Sequence, residues 1–90
     1  MESDKILDDD YNRVVGIVLK EKRISNGYSL STLAKKLKGK VTRQALARYE
    51  NNTARIKLNL FCDICSLYDI KPKELIEEIT NKYLEYIRTK

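Results

Sequence analysis

Histidine and tryptophan are both absent from this 90-residue chain. Without histidine the sequence lacks the commonest general base and the commonest metal ligand. Cysteine is limited to Cys62 and Cys65, a C-x-x-C with no second pair and no histidine to complete four-coordinate zinc. The pair lies inside a helical apolar pattern, not at a strand-to-helix turn, so it reads as core packing. No metal, cofactor or disulfide is expected. One proline, three glycines and the lack of any low-complexity tract argue against disorder along the whole length. No apolar run is long enough to cross a bilayer. No basic-then-apolar leader opens the sequence, and the expectation is a cytoplasmic protein with no membrane partner. There is also no glycine-rich phosphate loop, and the clustered acids Glu74, Glu77 and Glu78 read as the solvated side of a last helix. A nucleophile–base arrangement cannot be assembled, so no catalytic residue is assigned and the chain is expected not to be an enzyme.

What is present is charge, unevenly placed. The formal net charge is +5, but residues 1–10 hold Glu2, Asp4, Asp8, Asp9 and Asp10 against one lysine, a balance of −4. The other eighty residues carry 17 Lys/Arg and 8 Asp/Glu, or +9. A basic body behind an acidic leader implies an anionic partner, with nucleic acid first and a membrane surface second. The leader itself, residues 1–10, reads as a solvated, disordered end, with competition against DNA for the basic face as the minor alternative.

Apolar residues make up 42% of the chain, enough for one small core. Their spacing predicts five helices and no strand. Val14, Val15, Val18 and Leu19 mark a first helix from Tyr11 to Ile24, closed by Asn26-Gly27. Ser29 caps a second, about Leu30 to Lys38, with Tyr28 and Leu33 placed as a hydrophobic staple. Ala34 and Leu37 continue its buried side, and Gly39 stops it. Thr42 caps a third helix, stapled by Val41 and Leu46 and closed by Asn51-Asn52. A fourth covers about Leu58 to Tyr68, with Leu58, Phe61, Cys62, Cys65 and Tyr68 inward. Pro72 suits the first position of a fifth, running to about Ile87. Two capped helices joined by a short turn containing glycine describe a helix-turn-helix at about residues 29–50, within a domain of residues 11–72.

The third helix carries the functional signal. Val41, Leu46 and Tyr49 can face a core, while Arg43, Gln44, Ala47 and Arg48 fall together on the other side with no acid among them. Arginine and glutamine are the side chains whose geometry fits guanine and adenine edges bidentately in the major groove. A solvated helix face is the plainer reading of the same four residues. The last helix, residues 73–90, poses a second choice. Ile76, Ile79, Tyr83 and Tyr86 keep 3-4-3 spacing and Ile87 extends the stripe. It either folds back over the first helix or serves as a dimer interface; the expectation is dimerisation.

With these residues in view, the chain resembles the Cro/repressor-type helix-turn-helix proteins, the lambda-repressor-like or XRE family of bacterial and phage regulators, over about residues 13–76. Gly16, Leu19 and Arg23 match its first helix, Gly27-Tyr28-Ser29 the entry to the motif, and Ala34 the small residue where the two motif helices cross. Thr42-Arg43-Gln44-Ala45-Leu46 and Arg48-Tyr49-Glu50 are similar to its recognition helix, and Ile70-Lys71-Pro72-Lys73-Glu74-Leu75 to its link into the fifth helix. The resemblance implies a compact five-helix bundle with an extended C-terminal helix, and an ion pair between Arg23 and Glu50. The chain departs from the family at Leu30, where glutamine is common, at Asn52, where glycine is frequent, and in a turn about two residues longer.

The expected function is sequence-specific binding of double-stranded DNA by a transcriptional regulator, a repressor of phage or mobile-element type. Arg43, Gln44, Ala47 and Arg48 would meet bases. Lys38, Lys40, Thr42, Asn51, Asn52 and Arg55 would meet phosphates, helped by backbone N–H groups at helix starts. A homodimer would set two recognition helices about 34 Å apart on a palindromic site. The alternative is a protein-interaction module, such as the antitoxin of a toxin–antitoxin pair or an anti-regulator, holding an unknown protein partner through its leader or last helix.

Overall fold

The structure is a computed structural model that describes the backbone of residues 2–89 and the side chains from Asp9 to Thr89. It contains five helices in chain order: α1 Glu2–Ser25, α2 Leu30–Lys36, α3 Arg43–Glu50, α4 Leu58–Leu67 and α5 Pro72–Arg88. There is no strand among the described residues. The expected all-α bundle of five helices is what forms. The boundary drawn from charge at residue 10 falls inside α1; the acidic side chains before Asp9, which the expectation of a solvated leader concerns, lie outside the described residues.

Local chemistry sets most of the helix ends. The Ser29 hydroxyl accepts the Thr32 N–H at 3.0 Å, and the Thr42 hydroxyl accepts the Ala45 N–H at 3.0 Å. Each satisfies one of the amides a helix start leaves unpaired. Pro72 stands in the first turn of α5, where its missing N–H costs nothing. Three helices close the same way, with paired N–H bonds back to the last turn: Gly27 and Tyr28 after α1, Asn52 and Thr53 after α3, Asp69 and Ile70 after α4. The closure needs a positive φ, supplied by Gly27 (77°), Asn52 (60°) and Asp69 (57°). The second helix is shorter than its spacing predicts. It ends at Lys36 because Lys38 (φ 57°) and Gly39 (φ 79°) both turn left-handed, so the turn starts before the glycine that was expected to stop it.

Two apolar clusters form the core. Val14, Val18 and Leu19 of α1 meet Phe61 and Cys65 of α4 and Leu75 and Ile79 of α5. Leu33 and Leu37 beside α3's Leu46 meet Leu60, Ile64 and Tyr68. Tyr49, Ile56 and Ile70 touch both clusters and join them. The residues of both expected staples, Tyr28 and Leu33, Val41 and Leu46, belong to the second cluster.

Two sequence expectations require correction. Leu58, placed on the inner side of α4, is 69% exposed, whereas Leu60 and Ile64 are buried. Helix α4 lies between the clusters and buries a wide face; Asn59, Asp63 and Ser66 make its polar side, and Leu58 and Leu60 flank that side at about equal angles, so spacing alone does not say which of the two turns inward. The second concerns α5. Ile79, assigned to a dimer interface, is 2% exposed within the chain's own core. Tyr83 meets Tyr11 edge to face at 5.2 Å between ring centroids, and Tyr86 packs on the same cluster. The Tyr11 hydroxyl hydrogen-bonds Thr80 Oγ1 at 3.0 Å. Ion pairs Glu21–Lys82 (2.7 Å) and Lys22–Glu78 (3.0 Å) flank the seam. This part of the stripe folds back over α1; Ile76 and Ile87, with Leu84, stay exposed.

Candidate nucleic-acid interface

Helix α3 is held from behind by charge and by close backbone approach. Arg23 Nε donates to Glu50 Oε2 at 2.8 Å and Nη2 to Oε1 at 3.0 Å, a bidentate pair. Its Nη1 donates to the Tyr28 carbonyl at 2.9 Å. One guanidinium therefore ties the end of α1, the entry to α2 and the end of α3 together. The side chains are only 11% and 7% exposed, so the pair is shielded from solvent and the planar fork fixes its geometry. The bonds to Glu50 hold the Arg23 pKa above its ordinary value.

Gly16 lets the helices come this close. A Cβ there would stand 2.6 Å from the Glu50 carbonyl oxygen and 2.8 Å from that of Tyr49. Both obstacles are backbone, which no rotamer change can move. Behind them Leu46 is buried and Tyr49 half-buried. Tyr68 closes the floor of a small cavity of about 10 Å³ that Tyr49 and Glu50 also line. Burial pushes the Tyr68 hydroxyl up to about 12, so it stays neutral beside the ion pair.

The other side of α3 is open. Arg43, Gln44 and Arg48 are exposed and Ala47 is half-buried. Arg43 and Gln44 are the first two residues after the Thr42 cap, and Ala47 and Arg48 follow one turn later. The four assigned base-contact residues thus share one unobstructed face of an eight-residue helix.

The assigned phosphate contacts stand in different states. Lys38 is exposed at the left-handed start of the turn, and Asn51 is exposed at the end of α3. Asn52 is half-buried and occupied in the α3 closure. Thr42 accepts its capping bond through the oxygen, which leaves the hydroxyl proton to donate. Lys40 is already engaged: its Nζ lies 3.1 Å from Asp63 Oδ2 and ties the turn to α4. Arg55 Nη2 lies 3.7 Å from Asp9 Oδ1. Sequence reading missed both acids, since partners 23 and 46 positions apart leave no local signal. It did not assign Gly16 or Tyr28 to the support of α3 either.

Other chemistries find little here. Among the described residues no three His, Cys, Asp or Glu side chains gather to hold a metal ion. Cys65 is buried, with its thiol pKa raised by desolvation, and Cys62 is partly buried. No helix among the described residues is long and apolar enough to cross a membrane.

Comparison with protein families matches residues 19–75, more than half of the chain, to the helix-turn-helix family. No match is found among curated proteins or among solved structures.

Proposed function

Since the chain belongs to the helix-turn-helix family of lambda-repressor-like, XRE-type DNA-binding regulators, we propose that it is a sequence-specific repressor that reads the major groove with α3. One observation carries this reading: a helix clamped from behind by Arg23–Glu50 and by the close pass over Gly16 presents Arg43, Gln44 and Arg48 outward with no acid among them. Preorganised side chains lose less freedom on docking, and bidentate Arg and Gln contacts discriminate bases by about 1–3 kcal/mol each. Arg43 and Gln44 at the leading end take the base edges. Ala47 gives clearance or touches a thymine methyl, and Arg48 reads a base or a phosphate.

Lys38, Asn51, Asn52 and Arg55 meet the phosphates, joined by the Thr42 hydroxyl and by Lys40 once it leaves Asp63. With about 6–10 phosphate contacts per dimer, affinity falls roughly a thousand- to a hundred-thousand-fold between 50 and 200 mM salt. A single motif of this size buries little surface, so the working unit is a symmetric homodimer on a palindromic site. The uncovered apolar side chains Leu58, Ile76, Leu84 and Ile87 support an association surface smaller than the whole α5 stripe. The setting is cytoplasmic, and repression acts by covering a promoter.

Selection from a random double-stranded DNA pool at moderate salt tests this. The expected result is an enriched inverted repeat with half-sites about one helical turn, roughly 34 Å, apart. A folded protein that enriches nothing overturns the proposal, and a lone half-site removes the dimer.

A further inference from the structure

We propose that Asp9 of α1 restrains DNA binding by holding negative charge against the loop that follows the recognition helix, with the net charge of residues 1–10 adding to it. The inference rests on the DNA-binding reading above and concerns its regulation. Two observations meet here. Residues 1–10 carry a balance of −4 in an otherwise basic chain. Helix α1 brings the end of that segment to the DNA side, where Asp9 Oδ1 lies 3.7 Å from Arg55 Nη2, in the segment linking α3 to α4.

Both side chains are 62% exposed. A pair this exposed contributes little to the fold, so its consequence lies in the field it sets up. Arg55 is one of the cations assigned to phosphate, and an approaching duplex must displace Asp9 from it. The net negative charge of residues 1–10 adds a longer-range repulsion toward phosphates. The acids could instead serve only the amides and dipole at the start of α1. In that case neutralising them lowers thermal stability and leaves affinity alone.

The experiment measures affinity for a labelled mixed-sequence duplex by fluorescence anisotropy, in the full chain. Asp9→Asn is the first variant, and Asp4→Asn with Asp8→Asn and Asp9→Asn the second. Asp10 is left unchanged because it is buried. For charges about 10 Å apart in water, screened at roughly 50 mM salt, each neutralisation tightens binding about 1.4-fold, so the triple variant gains about two- to threefold. The gain disappears toward about 1 M salt, where screening acts within about 3 Å. In an Arg55→Gln background, Asp9→Asn gains less than it does alone. A wild-type protein that binds DNA, with both variants binding equally or more weakly, overturns the restraint alone. Failure of wild type and variants alike to bind overturns the DNA-binding reading, and this inference with it.

Discussion

The two sides of α3 follow opposite rules. The inner side is fixed: Leu46 is buried, Glu50 is clamped bidentately by Arg23, and the helix end passes against Gly16 with no space for a methyl group. On the outer side Arg43, Gln44 and Arg48 are exposed, and no hydrogen bond or ion pair holds their side chains among the described residues. The comparison separates holding a helix from reading with it. Substitutions on the inner side should cost stability first and binding as a consequence. Those on the outer side should cost binding alone.

The largest expected effect comes from Glu50→Ala. It strands the Arg23 guanidinium in a shielded site with only the Tyr28 carbonyl. Breaking one partner of a buried pair costs about 3–5 kcal/mol, read as a fall in Tm of roughly 15–30 °C in a domain of this size. Thermal melts followed by circular dichroism check it, and an unchanged Tm would mean the pair is not holding α3. Gly16→Ala comes next. Its methyl group meets backbone oxygens at 2.6 and 2.8 Å, and overpacking of this kind costs about 1–3 kcal/mol. Chemical denaturation should show a lower midpoint with an unchanged slope. Thr42→Ala is the smallest and sits at the join of the two sides. Losing the cap on the Ala45 amide costs about 1 kcal/mol. Because Thr42 begins the reading end of α3, its DNA affinity should fall by more than the stability loss accounts for, which titration at a temperature well below Tm would show.

The legible parts of this molecule are the local ones. Ser29, Thr42 and Pro72 announce helix starts because capping chemistry is decided within three residues. Gly27 and Asn52 announce ends because few residues accept a positive φ. The outward face of α3 was also legible, from the absence of an acid among Arg43, Gln44, Ala47 and Arg48. Arg23 with Glu50 came from family resemblance, since spacing cannot show a bond across 27 positions. What spacing could not decide was which partner an apolar face meets. The α5 stripe has the same 3-4-3 period whether it covers α1 or a second copy, and it is the burial of Ile79 with the packing of Tyr83 on Tyr11 that sends it to α1. In α4 Leu58 and Leu60 flank the polar side of Asn59, Asp63 and Ser66 at about equal angles, so they could not be told apart. The turn Lys38-Gly39-Lys40 was visible as a break, but its anchor to Asp63 was not.

The measurement that bears most directly on the division within α3 is Arg43→Ala, assayed on the selected DNA site and on versions with single base pairs changed. The account predicts an unchanged Tm together with loss of discrimination at one or two adjacent positions, about 1–3 kcal/mol each. A uniform loss of affinity at every position, or a fall in stability, would contradict it: Arg43 would then be holding phosphate or the fold and not reading a base.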